Sequence, residues 1–429
     1  MLPVCRTEGD IYSIPKFDLS KKDLTGFTEE LRGFHSQFND CFSRSEPREN
    51  FYQYMAGQLS ELERKSIEPI AIRIEGGNVR AMQHTISGIT WNEDKILKKY
   101  HTMINDDMGD QNGALIFDET SFVKKGSDSA GVSKQYCGSI GKVENCQVGV
   151  FVAYASPQGY ALLDKRLFMP EKWFNDEYFE RRKKCKIPDY LVFKSKPQLA
   201  VDMFREIEMS NAVPYKYIVA DSIYGQSPEF IEEIDKCIGK IYMVSISNDT
   251  LCWLKKPTIS KKTYTYKGET RLKDIVKDTE DKPVTVKSIA ENLNSFFWYK
   301  RTVSEGTKGP IDYEFTKREV ILSKDGLPCK NIWLIIKRTI GNNPTYYFYI
   351  SNAPFSARLK LFVWLSGIRW AIEQCFEETK SELGIDHYEV RKFLGWNHHM
   401  LTCMLAHFFL WHMKIKLGKK NACHYDIAA

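Results

Sequence analysis

The sequence predicts an α/β protein in which a helical N-terminal region precedes a core that is interrupted by a β-rich insertion. The helical prediction rests on apolar residues at spacings of three and four, among them Leu31, Phe34, Phe38 and Phe42. From residue 113 the pattern changes to short apolar runs bounded by turn residues, which is typical of buried strands. Residues 249–345 are basic and rich in Thr, Lys and Tyr, and their short alternating runs favour strands. The predicted regions are the helical N-terminal region at 1–108, the first part of the core at 109–248, the β-rich insertion at 249–345 and the helical second part of the core at 346–429.

The composition is that of a globular protein, because 43% of the 429 residues are hydrophobic and 27% are charged. The longest nearly apolar stretch, from Met400 to Met413, is shorter than the roughly 18 residues that a membrane span needs. The first residues lack the basic start and apolar run of a secretory signal. Eleven scattered cysteines favour reduced thiols over a disulfide framework. We therefore expect a cytoplasmic protein without a membrane partner.

Local patterns predict two pairs of elements in the first half of the chain. Helical patterns at 78–87 and 92–105 flank a Gly-containing turn, and Asn92 is placed to cap the second helix. This pair resembles a DNA-binding helix-turn-helix, although an ordinary helical hairpin has the same pattern. Farther on, apolar runs at 147–156 and 160–169 predict a β-hairpin.

Three acids stand in a pattern that suits metal chemistry. Asp118 closes the apolar run ALIFDET and Asp221 follows the run YKYIVA, so both are expected at strand ends on one rim of a sheet. Glu373 lies in the helical run RWAIEQCFEETKSELG. Carboxylates from two strands and a helix can hold two Mg²⁺ ions about 3.5–4 Å apart, and Mn²⁺ suits the same oxygen ligands. The alternative is that all three are solvated acids at the ends of elements.

The helix that carries Glu373 has a polar margin beside a buried stripe. At 100° per residue, Arg369 and Lys380 fall within about 40° of Glu373. The expected buried stripe consists of Ile372, Phe376, Thr379 and Leu383. The two cations can therefore neutralise the carboxylate or bind a phosphate beside it.

These residues resemble a known signature. Arg369, Glu373 and Lys380 match the R-x3-E-x6-K part of the Y-x2-R-x3-E-x6-K signature of DDE transposases from bacterial insertion sequences. The runs FDETSFVKKG, QYCGSIGKVENCQVGVFVAYAS, VADSIYG and IEQCFEETKSELGIDHYEVR resemble the blocks of one branch, the DDE-superfamily endonucleases. The resemblance covers about residues 80–410, and it departs at Ser366, where the signature has Tyr.

The resemblance implies a ribonuclease H-like core interrupted between the second Asp and the Glu. It makes Asp118, Asp221 and Glu373 the catalytic residues and the metal ligands. It also implies cleavage of double-stranded DNA at the element ends, followed by strand transfer of the freed 3′-hydroxyl into target DNA. Pairing of two element ends favours a homodimer in the DNA complex. The resemblance also implies a location in a bacterial cytoplasm, in association with the nucleoid.

Basic charge is concentrated where DNA contacts are expected. Residues 254–318 hold 15 Lys or Arg and 9 Asp or Glu, a surplus of six that equals the net charge of the whole chain. The candidate DNA contacts are Arg369, Lys380, Lys124, Lys125 and Trp298. Trp298, in SFFWYKR, has the alternative role of packing into the core of the insertion.

Competing motifs are weaker. His399, Cys403 and His407 share one helix face and are possible metal ligands, but their apolar neighbours favour a packed core. Cys375 lies beside Glu373 without an orienting His, so we expect a buried thiol. The loop from Gly126 has the gap of a phosphate loop but lacks its Lys, which disfavours a nucleotide cofactor.

Three functions remain open at this point. The first is an active transposase, and the second is a structure-specific endonuclease that cuts DNA without joining strands. The third is a non-catalytic DNA-binding regulator derived from a transposase, which the presence of all three acids disfavours.

Overall fold

The structure, a computed structural model, describes residues 21–425 except residues 268, 278, 280, 307 and 308. It divides into two compact units. The first unit combines the described residues up to Lys216 with those from Trp370 onward, and the second is Tyr217–Arg369. The chain thus leaves the first unit once and returns to it.

Helices open the described part of the first unit: α1 (Lys21–Ser36), α2 (Ser45–Gln58), α3 (Ile67–Arg73), α4 (Val79–Ser87) and α5 (Glu93–Met108). The predicted helices at 78–87 and 92–105 are confirmed as α4 and α5. The side chain of Asn92 accepts a hydrogen bond from the backbone N–H of Lys95 at 3.1 Å, as the cap prediction requires. The stripe that begins at Leu31 is not one helix, because α1 ends at Ser36.

Antiparallel strands follow: β1 (Ala114–Val123), β2 (Ser133–Cys137), β3 (Lys142–Ser156) and β4 (Gly159–Phe168). β3 pairs with β1 along one edge and with both β2 and β4 along the other. The predicted hairpin is confirmed, since only Pro157 and Gln158 separate β3 from β4. Two helices, α6 (Phe179–Lys184) and α7 (Lys196–Ser210), complete this stretch.

The second unit is mostly β structure, in the order β5 (Tyr217–Ala220), α8 (Ser222–Gly225), α9 (Pro228–Asp235), β6 (Ile241–Ile246), β7 (Leu251–Trp253), β8 (Ile259–Tyr266), β9 (Glu269–Val276), β10 (Val284–Thr285), α10 (Val286–Glu291), β11 (Tyr299–Gly306), β12 (Gly309–Lys324), β13 (Leu327–Arg338), β14 (Tyr346–Ser351) and α11 (Leu359–Ile368). Within this unit the strands are ordered β10-β7-β12-β13-β14-β6-β5, and β11 pairs with β12. β5 and β6 are parallel. Among the described strands, β8 and β9 pair only with each other.

The chain returns to the first unit in α12 (Trp370–Ser381) and α13 (Phe393–Tyr425). The middle of α13 is buried, including Met400, Leu401, Met404 and Phe408. Its apolar character serves the core, and among the described residues no helix has the length and hydropathy to span a membrane. The predicted mixed α/β class is confirmed, while the ribonuclease H-like arrangement and the four regional boundaries stay predictions.

Gly149 in β3 lets α13 approach the sheet closely. A Cβ at this position would lie 2.6 Å from the Phe151 ring and 3.0 Å from the Trp396 ring. We expect Gly149→Ala to lower the free energy of unfolding by about 1–3 kcal/mol, because extra atoms in a packed core force neighbours to shift. Denaturant unfolding measures this change.

The matched control is Gly138→Ala, since a Cβ there would meet no atom within 4 Å. This variant should unfold like the parent protein. Equal stability of the two variants would show that Phe151 and Trp396 can shift to accommodate a Cβ at position 149 without a cost in stability.

Candidate active site

Asp118 lies in the middle of β1 rather than at its end. The sequence predicted that the strand stops at this acid, and that prediction is wrong, because β1 continues to Val123 and stays paired with β3 as far as Cys146. Asp118 is half-buried and its Oδ1 accepts the backbone N–H of Glu119 at 2.8 Å. Its carboxylate therefore projects from a face of the sheet instead of a rim.

The two faces of β1 pack against different helices. On one face, the Phe117 ring lies 6.3 Å from the Phe204 ring of α7, and Glu119 forms an ion pair with Lys196 of the same helix. Because successive side chains of a strand point to opposite faces, Asp118 and Thr120 point away from α7. That second face is the one that α12 covers.

Two contacts fix α12 on this second face. The Lys380 ammonium donates a hydrogen bond to Thr120 Oγ1 at 2.8 Å. The Phe376 ring lies 5.3 Å from the Phe151 ring, and Phe151 is directly opposite Asp118 in the register of β1 and β3. Residues opposite each other in an antiparallel pair share a face, so Phe376 packs beside Asp118.

Glu373 is one helical turn before Phe376 and is exposed. From Lys380 to Phe376, α12 passes from the level of Thr120 to the level of Asp118, and Glu373 lies on the next turn in the same direction. The predicted buried stripe is confirmed, because Ile372, Phe376, Thr379 and Leu383 are all buried. The helix that carries Glu373 therefore packs on the face from which Asp118 projects, and the approach of the two carboxylates stays a prediction.

Asp221 belongs to the second unit, where it directly follows β5 as predicted. Its Oδ1 lies 3.7 Å from Nη1 of Arg369, and both side chains are partly exposed. Arg369 itself lies just outside α12, because α11 ends at Ile368 and α12 begins at Trp370, and its grouping with Glu373 and Lys380 on one face stays a prediction. The approach of Asp221 to the other two acids stays a prediction.

The donor set fits a hard divalent metal ion in its chemistry. Asp118, Asp221 and Glu373 offer only carboxylate oxygens, which Mg²⁺ and Mn²⁺ prefer. Among the described residues, no group of three or more His, Cys, Asp or Glu is arranged as a metal site. Metal binding by these three acids therefore stays a prediction.

The alternative soft-metal residues belong to the core. His399 is fully buried, with Nδ1 2.7 Å from the Tyr54 hydroxyl, and burial lowers its pKa to about 3. Cys403 accepts a hydrogen bond from Gln58, and His407 Nε2 lies 2.7 Å from a Glu378 carboxylate oxygen. The packed-core interpretation is confirmed.

Cys375 is also inert. Its side chain is fully buried, and burial raises the pKa of the thiol well above its usual value. A buried neutral thiol is a poor nucleophile. Beside Glu373, the chain therefore provides a carboxylate and no reactive sulfur.

The remaining candidate DNA contacts differ in accessibility. Lys124 donates to the Tyr388 carbonyl at 3.0 Å and lies 3.3 Å from the centre of its ring, and burial lowers the Lys124 pKa to about 8. Lys125 is exposed. Trp298 is only 7% exposed, and the Arg338 guanidinium lies 3.9 Å from its ring centre. This geometry favours the packing alternative for Trp298 and leaves Lys125 as the accessible lysine of the pair.

Sequence reasoning missed two partners in the site. Thr120 accepts the hydrogen bond of Lys380, and Arg369 pairs with Asp221. The alternation of β1 gives a signal for Thr120, since it is two residues after Asp118 and so on the same face. No local pattern predicts the pair between Arg369 and Asp221, because the second unit brings its first and last segments together.

Comparisons with known proteins identify the family of the chain. A family model described as DDE superfamily endonuclease matches residues 37–310, a range that includes Asp118 and Asp221 and ends before Glu373. The chain is 27% identical over 207 residues to a probable transposase for insertion sequence element IS701 from Microchaete diplosiphon. That match covers 47% of this chain and 49% of the relative, so it spans about half of each protein.

A cryo-EM structure of the piggyBac transposase synaptic complex with hairpin DNA is a distant structural neighbour. Its TM-score is 0.44 at 6% identity, over 90% of this chain and 72% of that chain. The family match covers well over half of the present sequence. The chain belongs to the DDE superfamily endonucleases.

Proposed function

We propose that this protein is a transposase that cleaves DNA at the ends of an insertion sequence and joins the freed ends to target DNA. The observation that supports the proposal is the packing of α12, the helix that carries Glu373, on the face of the sheet from which Asp118 projects. Membership of an endonuclease family supports a phosphodiester as the substrate.

In this proposal Asp118, Asp221 and Glu373 hold two Mg²⁺ ions, for which Mn²⁺ can substitute. Such a pair supplies activation of the attacking oxygen and stabilisation of the leaving 3′-oxygen. The protein then needs no Ser, Cys or His nucleophile, which agrees with the burial of Cys375. Water is the first nucleophile, and the liberated 3′-hydroxyl is the second.

The neighbouring cations have distinct roles. Lys380 holds α12 along β1 through Thr120, so it acts on the position of Glu373. Arg369, beside Asp221, balances the charge of that carboxylate or contacts a phosphate of the scissile strand. Two DNA ends are brought together by two copies of the chain, so the active form is a homodimer on double-stranded DNA.

The decisive experiment incubates the protein and Mg²⁺ with DNA that carries the ends of its own element. Cleaved ends followed by joined products support the transposase. Cleavage without joining supports a structure-specific endonuclease, and binding without cleavage supports a non-catalytic regulator. A chelator should stop the reaction and added Mn²⁺ should restore it.

The variants Asp118→Asn, Asp221→Asn and Glu373→Gln should each lose cleavage by more than about 100-fold. Even residues that only support a metal ligand contribute about 10–100-fold, so loss of a ligand itself should cost more. DNA affinity in metal-free buffer and the thermal midpoint should stay near those of the parent protein.

Glu377→Gln is the matched control, because Glu377 is an exposed acid on the same helix, one turn after Glu373. It should cleave normally. Near-normal cleavage by any one of the three acid variants would remove that residue from the set of ligands.

Lys380→Ala should slow cleavage more than Leu383→Met does, because only the first change releases α12 from Thr120. Leu383→Met keeps the volume of a buried apolar side chain and should be nearly silent. Single-turnover cleavage rates at saturating DNA measure both effects.

The double variant with Thr120→Val tests the route of this effect. If Lys380 acts through Thr120, the two changes are strongly non-additive, as expected for residues in direct contact. Additive losses would instead mean that Lys380 contacts DNA independently of Thr120.

A further inference from the structure

β8 and β9 form a two-stranded ribbon that is exposed on both faces. The described side chains from Lys261 to Asp274 are exposed, and half-buried positions occur only near the base, at Ser260, Ile275 and Val276. A two-stranded hairpin without a packed face is marginally stable by itself. This ribbon therefore contributes little to the core of the second unit, and its side chains are available to a partner.

The two faces of the ribbon differ in charge. On the first face the register places Lys261 opposite Asp274 and Thr263 opposite Leu272, so the charges cancel. On the second face Lys262 stands directly opposite Lys273.

The next pair on the second face joins an aromatic ring to a further cation. Tyr264 stands opposite Arg271, and Tyr264 is 43% exposed. Arg271 forms an ion pair with Glu269 on the same face at 2.9 Å, so Lys262 and Lys273 supply the surplus of positive charge. We call this second face, defined by Lys262, Lys273, Tyr264 and Arg271, the basic face.

The pairing of Lys262 with Lys273 has an energetic cost in the free protein. Like charges at directly opposed positions of an antiparallel pair are destabilising, whereas Lys261 opposite Asp274 is a favourable combination. A polyanion laid along the basic face would relieve this repulsion. The arrangement is therefore suited to a bound partner rather than to the stability of the ribbon.

We propose that the basic face of the β8–β9 ribbon docks on the phosphates of duplex DNA. The identification of the polyanion as DNA rests on the proposed function. At about 3.3 Å per residue, strands of eight residues reach about 26 Å, enough to pass several phosphates. A two-stranded ribbon also has the width that the major groove of DNA admits.

A protein partner fits this face less well. Its described side chains combine three cations with one acid, Glu269, and one exposed aromatic ring, Tyr264, whereas the fully buried centre of a protein interface is depleted in charge. The face is instead typical of nucleic-acid contacts, in which cations meet phosphates and an aromatic ring packs among them.

The test compares single-charge variants of the full-length chain. Lys262→Gln and Lys273→Gln each remove one cation from the basic face, and Lys261→Gln removes one from the opposite face as the matched control. Binding to a blunt mixed-sequence duplex of about three helical turns is measured in a chelator-containing buffer over a series of salt concentrations.

Each basic-face variant should reduce the slope of log affinity against log salt by about 0.9, the value for one lost phosphate contact. Lys261→Gln should keep the slope and affinity of the parent protein. The thermal midpoint of Lys262→Gln should stay equal or rise, because the repulsion with Lys273 is removed. A loss of binding would then not reflect unfolding.

Salt slopes that are the same for all three variants would overturn the proposal. A change of self-association without DNA in the basic-face variants would also overturn it, since the face would then bind a second copy of the chain. This measurement needs no metal ion, so it is independent of cleavage. If the protein binds DNA through the basic face but never cleaves it, the proposed function is contradicted and the docking proposal is not.

Discussion

The packing of α12 across β1 and β3 is the constraint on which the candidate site depends. Glu373 is far from Asp118 in the sequence, and its helix lies on the face of Asp118 because Phe376 packs on Phe151 and Lys380 bonds to Thr120. The apolar contact supplies most of the stabilisation, since burial of an aromatic side chain contributes about 1.5–3 kcal/mol. The hydrogen bond sets the position of the helix along the strand. The contacts that build this part of the core therefore also aim the carboxylate.

The second unit is joined to the first by two chain crossings, and residues of the candidate site stand beside both. Asp221 follows the first crossing, which lies between Lys216 and Tyr217, and Arg369 is the last residue before the second. The ion pair between Asp221 and Arg369 therefore links the first and last segments of the second unit. An exposed pair of this kind contributes little stability. Its more important effect is to keep a cation beside a carboxylate that is proposed to bind metal.

Local sequence patterns predicted those features that depend on neighbouring residues. The helices α4 and α5, the hairpin of β3 and β4, and the position of Asp221 after β5 all follow from periodicity or from the end of an apolar run. The errors concern long-range pairing. Asp118 resembled a strand end because DET is polar, but β3 continues beside it and prolongs β1. For Trp298 the sequence left packing and DNA contact open, and Arg338, the neighbour that favours packing, lies on the distant strand β13.

The proposed chemistry and the proposed DNA surface place opposite demands on charge. Three carboxylates held close together repel a phosphodiester until metal ions neutralise them, so the catalytic acids cannot supply the attraction for DNA. Cations elsewhere must supply it. The surplus of positive charge in residues 254–318 equals the net charge of +6. The β8–β9 ribbon carries part of this surplus, and its residues are far from Asp118 and Glu373 in the sequence. In this proposal, such a division would let the protein hold DNA before metal ions bind. Cleavage would then require the metal ions, while phosphate contacts already set the position of the duplex.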